Sequence, residues 1–165
     1  MKANQWKEWI QLSSPRVDAS AIQINATHTL IFGGHDGNYQ YDGKFDFKWS
    51  EMVSSDGVSK SIDLPMTITH PCTLKINSTM ALIAGGYQDS LESPETYYLN
   101  LETLDITSGP RMQSERIGHG CVTFYLGGKT YGLVAGGADS MNELNSTEIL
   151  DLEQTNPSWT DGKKH

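Results

Sequence analysis

Three pairs of adjacent glycines, Gly33-Gly34, Gly85-Gly86 and Gly136-Gly137, stand 52 and then 51 residues apart along the chain. A period of that length marks one supersecondary unit repeated, each copy too small to bury its own apolar faces and so dependent on its neighbours. Aligned on the glycines, the copies read NATHTLIFGG, NSTMALIAGG and GKTYGLVAGG. Thr27, Thr79 and Thr130 share one column, and Leu30, Leu82 and Leu133 share another.

The pattern around each pair is that of strands and turns. A first strand is predicted at Ala19–Ile24, Cys72–Ile76 and Cys121–Leu126. Asn25-Ala26, Asn77-Ser78 and Gly127-Gly128 follow as turns whose residues tolerate positive φ. The second strand is short and almost wholly apolar, which predicts burial on both faces. A third strand is expected at Tyr39–Asp42, Glu95–Tyr98 and Glu148–Asp151, and a fourth at Trp49, Ile106 and Trp159. Four strands per period, with no helical periodicity between them, predict an all-β chain of three four-stranded propeller blades. Their bounds are near 16–52, 66–110 and 116–162, with residues 6–12, carrying Trp9, as a surplus outer strand.

Arg16, Gly33-Gly34, Tyr41-Asp42 and Trp49 in the first copy, and Arg116, Gly136-Gly137, Leu150-Asp151 and Trp159 in the third, resemble the kelch repeat. The second copy departs from it, with Ile68 near the Arg slot, Tyr98 for the Asp and Ile106 for the Trp. The resemblance implies a kelch-type β-propeller and, by family habit, a protein-binding module rather than an enzyme. Binding would use the loops after the double glycines and those leading into the first strands. Rings of this kind close with about four to eight blades. Three blades therefore imply either part of a longer propeller or a homodimer closing a six-bladed ring. The alternative is a carbohydrate-binding or carbohydrate-processing propeller, as the epimerases and copper-radical oxidase of the fold suggest, with Arg16, Arg116 and Asp18 near the axis.

Within those loops, Arg16, Asp36, Tyr87, Arg111, Glu115, Arg116 and Asp139 are the candidate contact residues; a protein partner is expected first, a glycan second. The two arginines have a competing reading, as hydrogen-bonded ties between one blade and its neighbour. A net charge of −8 without a basic cluster disfavours nucleic acid and anionic membrane surfaces. No apolar run approaches the roughly 20 residues of a membrane-spanning helix. Cys72 and Cys121 are too few for a disulfide framework and read as small apolar core residues. His70 and His119, each two residues before a cysteine, fall short of a four-ligand zinc set, so no metal or cofactor is expected. Asn25, Asn77 and Asn145 open sequons for N-glycosylation. The compartment, cytoplasmic or secreted, stays open at this point.

Overall fold

The computed structural model describes residues 10–37, 47–89 and 91–162, with backbone alone at residues 60 and 61. Among the described residues every regular element is a β-strand. Sheet I runs β1 (Ser20–Gln23), β2 (Thr29–Phe32), β3 (Trp49–Ser54) and β4 (Gly57–Asp63) in spatial order. β5 (Ile68–Thr69) then leads into sheet II, built from β6 (Cys72–Lys75), β7 (Met80–Ala84), β10 (Thr96–Asn100) and β11 (Ile106–Ser108). The hairpin β8 (Tyr87–Gln88) and β9 (Leu91–Glu92) pairs with β5 as a small third strand set. Sheet III is β12 (Gly120–Leu126), β13 (Lys129–Ala135), β14 (Thr147–Asp151) and β15 (Trp159–Asp161). All strand pairings are antiparallel, and all but β7 with β10 and β5 with β8 join consecutive strands, as short hairpin connections favour.

Sheet II lies between the other two, and its strand alternation sends residues to both. Ala81, Ile83 and Leu99 pack towards sheet I with Leu30, Phe32 and Ile68. Leu82, Ala84 and Leu74 pack towards sheet III with Val134, Leu150 and Trp159. Each fully buried leucine here contributes about 1.5–3 kcal/mol. Burial on both faces of the second strand holds for β7; β2 and β13 alternate, because among the described residues only sheet II has a neighbour on each side.

The glycine pairs form the seams. All six take positive φ, for example 62° at Gly85 and 93° at Gly86. The second glycine donates its amide hydrogen to the next unit, Gly34 to Ile68 O and Gly86 to Arg116 O, both at 2.8 Å. A Cβ on Gly33 or Gly85 would collide with that same carbonyl, whereas on Gly136 the nearest atom, Leu144 O, is 3.5 Å away.

β6 is the shared inner strand, beside β1 on one side and β12 on the other. The first junction carries a hydroxyl pair, Ser20 Oγ to Thr73 Oγ1 at 2.7 Å, and Lys75 Nζ donating to Gln23 O. The second carries a covalent bond: Cys72 and Cys121 form a disulfide with Cα atoms 6.0 Å apart. The cysteines are therefore not free core residues. Closing a loop of 49 residues' separation contributes about 4 kcal/mol on the chain-entropy account.

Three further expectations are corrected. The third position in sheet I belongs to Trp49–Ser54, not to residues 39–42, which lie outside the described residues, as do residues 6–9. Trp49 is thus on the third strand, and sheet I extends to Asp63, past the expected bound at residue 52. The cause is a longer loop: the carbonyl of the second glycine accepts from Phe47 in unit I, but from Ser93 and Leu144 in the others. In sheet II the register is two residues later than expected. Tyr97 pairs with Ile83 as Glu148 pairs with Val134, so Asn100, not Tyr98, matches Asp151. Finally, positive φ at the inner turn is confined to Gly127 and Gly128; at Asn25 and Asn77 the side-chain oxygen shapes the turn instead.

These seams separate two costs. Gly85→Ala and Gly136→Ala both pay the left-handed backbone cost of about 1–2 kcal/mol. Only Gly85→Ala also meets the neighbouring unit, so urea titration is expected to show it less stable than Gly136→Ala by about 1–3 kcal/mol. Equal losses would place the collision elsewhere.

Candidate interaction face

Because β1 and β2 are antiparallel, the chain enters β1 at the end where it leaves β2. The same holds in units II and III. The bridges Val17 to His35 and Ile117 to Ala138, with the Thr69 to Tyr87 pairing, extend this by one step. Both sets of loops therefore share one rim, which the double glycines mark.

Arg16 and Arg116, conspicuous in sequence, do not face that rim. Their side chains are 1% and 0% exposed. Arg116 Nε donates to Glu148 Oε1 at 3.2 Å, and Nη1 donates to Gly136 O and Ser146 O. Glu148 also accepts the backbone N–H groups of Gln113 and Ser114. Unit I repeats this with Arg16, Glu51 and the Ser13 N–H. Where Ser146 Oγ accepts from Arg116 Nη2, unit I has Trp49, and the Arg16 guanidinium lies 4.1 Å from the Trp49 ring and 4.5 Å from Phe47. Neither arginine offers surface to a ligand. They tie the incoming loop to the third strand.

Unit II replaces the whole set. Ile68 holds the Arg position and Tyr97 the Glu position, both within one apolar cluster. Pro65 stands where Gln113 and Ser13 stand and has no N–H to orphan.

The other sequence candidates do lie on the rim. Asp36 and Tyr87 are half-buried at the starts of the first and second loops, and Glu115 is exposed. Arg111 is exposed and ion-paired with Glu95. Asp139 Oδ1 accepts the N–H groups of Met141 at 2.9 Å and Asn142 at 2.8 Å, which lowers its pKa. That turn holds Met141, 86% exposed, at the tip of the third loop. Leu91, 70% exposed, is at the tip of the second, where Asp89 Oδ1 accepts Thr67 N and Thr67 Oγ1 and pins the β8–β9 hairpin to β5. Val17 adds a third exposed apolar group on this rim. Sequence reasoning missed Leu91 and Met141; a lone large apolar residue inside a polar loop was the available signal. Among the described residues the remaining exposed large apolar groups, Val122, Tyr125 and Leu126, are all on β12.

His70 and His119 are not equivalent. His70 (φ 53°) matches Asp18 (φ 58°) in the chain path, and its Nε2 lies 3.1 Å from Asp18 Oδ2. His35 joins them from 3.3 Å; its Nδ1 accepts the Gly37 N–H, so its Nε2 carries the proton towards Asp18. His119 instead sits buried at the seam of sheets II and III, against Gly85 and Gly137. Burial, then the nearby Arg116 charge, lowers its pKa to about 4. Among the described residues no group of three or more His, Cys, Asp or Glu is placed to hold a metal ion. A cleft of about 370 Å³ between the first two sheets opens at the opposite rim, beside Asn25, His28 and Leu101.

No protein-family model matches the chain, and no curated protein matches it.

Two outcomes test the buried groups. Glu148→Gln leaves Arg116 without its counter-charge and is expected to cost about 3–5 kcal/mol. The set Gln113→Pro, Arg116→Ile, Glu148→Tyr, which copies unit II, is expected to cost less, as paired chemical denaturation would reveal. For His119, the unfolded chain takes up a proton near the ordinary pKa of 6.5 while the folded chain resists until about 4. Stability is therefore complete above that ordinary value and falls as pH drops through this window, by up to about 3 kcal/mol. His119→Phe is expected to lose that share of the pH dependence in unfolding titrations.

Proposed function

We propose that the chain comprises three consecutive kelch-type propeller blades acting as a non-enzymatic interaction module, which binds a protein through the double-glycine rim. The observation that carries this reading is the pair of exposed apolar tips, Leu91 and Met141, each held in place by an aspartate-centred turn. Pinned loops lose little conformational freedom on association, and apolar anchors with charged neighbours make an efficient contact patch. Arg111, Glu95 and Glu115 supply those charges on the same rim.

The carbohydrate-processing alternative relied on Arg16, Arg116 and Asp18. The first two are committed to Glu51 and Glu148, and Asp18 is engaged by His35 and His70. The interaction reading uses groups that are still exposed.

For the ring itself, the support is the repeated seam. The face of sheet III turned away from sheet II carries Val122, Leu133 and Ile149 in register, with Phe124 stacked on Tyr131 at 5.6 Å. It is the counterpart of the sheet II face that packs on sheet III. A further blade belongs there, through additional sequence or through a second copy closing a six-bladed ring.

Affinity capture from extracts of the natural source, quantified by mass spectrometry, tests the rim. A Leu91→Asp/Met141→Asp variant is expected to retain a bound protein about tenfold less than wild type. A Tyr125→Asp/Leu126→Asp variant is expected to retain it fully. Equal retention by the first variant, with unchanged melting, would remove this rim from the reading.

A further inference from the structure

We infer that this chain matures in an oxidising secretory compartment and that Asn25 and Asn77 carry N-linked glycans. Two separate features converge on it. The first is the Cys72–Cys121 disulfide, which joins the inner strands of different sheets and uses both cysteines of the chain. Stable structural disulfides of this kind are characteristic of secreted and lumenal proteins, since cytosolic thiols are kept reduced. The thiol protons and an electron pair pass to a disulfide-exchange oxidant of that compartment when the bond forms.

The second is the matched placement of two sequons. Asn25-Ala26-Thr27 and Asn77-Ser78-Thr79 occupy the same turn of successive inner hairpins, with both asparagines exposed. Their geometry agrees closely. Asn25 Oδ1 accepts Thr27 N at 2.9 Å and Thr27 Oγ1 at 3.1 Å, and Asn77 Oδ1 accepts Thr79 N and Oγ1 at the same distances. These turn bonds run through the carbonyl oxygen. The amide Nδ2, the atom that bears the sugar, is not used in them. In the transfer, the Nδ2 loses a proton and bonds to the anomeric carbon of an oligosaccharide carried on a lipid pyrophosphate, which leaves. The finished glycans would sit at the end of the sheets away from Leu91 and Met141, so the folded chain accommodates them without covering that rim. Asn145, by contrast, is on the double-glycine rim, one residue after Leu144, which donates to Gly137 O.

The test uses protein isolated from its natural source. Digestion with peptide-N-glycosidase in heavy-oxygen water is expected to convert Asn25 and Asn77 to labelled Asp, read by peptide mass mapping. A parallel non-reduced digest is expected to yield the Cys72 and Cys121 peptides joined. Unlabelled asparagine at either position overturns the glycan assignment, and alkylatable Cys72 or Cys121 in the untreated protein overturns the compartment.

Discussion

The amide hydrogen of the second glycine in the first two pairs reaches across a seam to a main-chain carbonyl of the following unit, from Gly34 to Ile68 and from Gly86 to Arg116. Main chain meets main chain there, so the glycine side cannot carry a Cβ and the approach of the sheets is fixed by backbone dimensions. Everything placed at the seam inherits that spacing. Ile83 and Leu99 reach the first neighbour and Leu82 and Ala84 the second, and the inner strands come close enough for Cys72 and Cys121 to bond. A side chain added at Gly85 would push on Arg116, Met112 and His119 together.

The same junction is built in two chemistries within one chain. Units I and III bury an arginine and a glutamate and satisfy the carboxylate with backbone N–H groups. Unit II omits the ions and, with Pro65, omits the N–H that would have needed an acceptor. Buried ion pairs contribute little net stability but are costly when half removed, so such sets change as wholes. Of the positions concerned, 65 and 68 are close in sequence, but 97 is about thirty residues away and meets them only in the fold. The consequence for function is that the arginines hold the incoming loop, and the rim owes its shape partly to charges it never displays.

Much of the architecture was legible because glycine pairs and apolar alternation are local signals. The first and second strands of each unit and the fourth strands at Ile106 and Trp159 follow from them, whereas the third-strand register that sets Ile106 opposite Leu99 does not. The third strand of unit I was not. Tyr41-Asp42 and Trp49 mimic the expected spacing, while the extra loop that displaces it leaves its mark only in which amide reaches Gly34 O. The disulfide was hidden for a related reason: Cys72 pairs with Ala84, but Cys121 pairs with Val134, one register step apart, so their meeting depends on how sheets stack. At the rim, sequence drew attention to charge. Charge conspicuous in a sequence is often charge already spent inside, as Arg16 and Arg116 are, and the exposed apolar tips carried less contrast.

The disulfide also has a mechanical meaning. It joins sheets II and III at their inner strands, while the junction of sheets I and II has hydrogen bonds such as Ser20 to Thr73 and Lys75 to Gln23. A chain pulled from its ends can lengthen through the first junction and sheet I, but the segment between Cys72 and Cys121 stays out of the load path. That withholds 49 residues, roughly 170 Å of contour at full extension, until a reductant arrives. Under force the protein is thus a short tether in oxidising surroundings and a longer one in reducing surroundings.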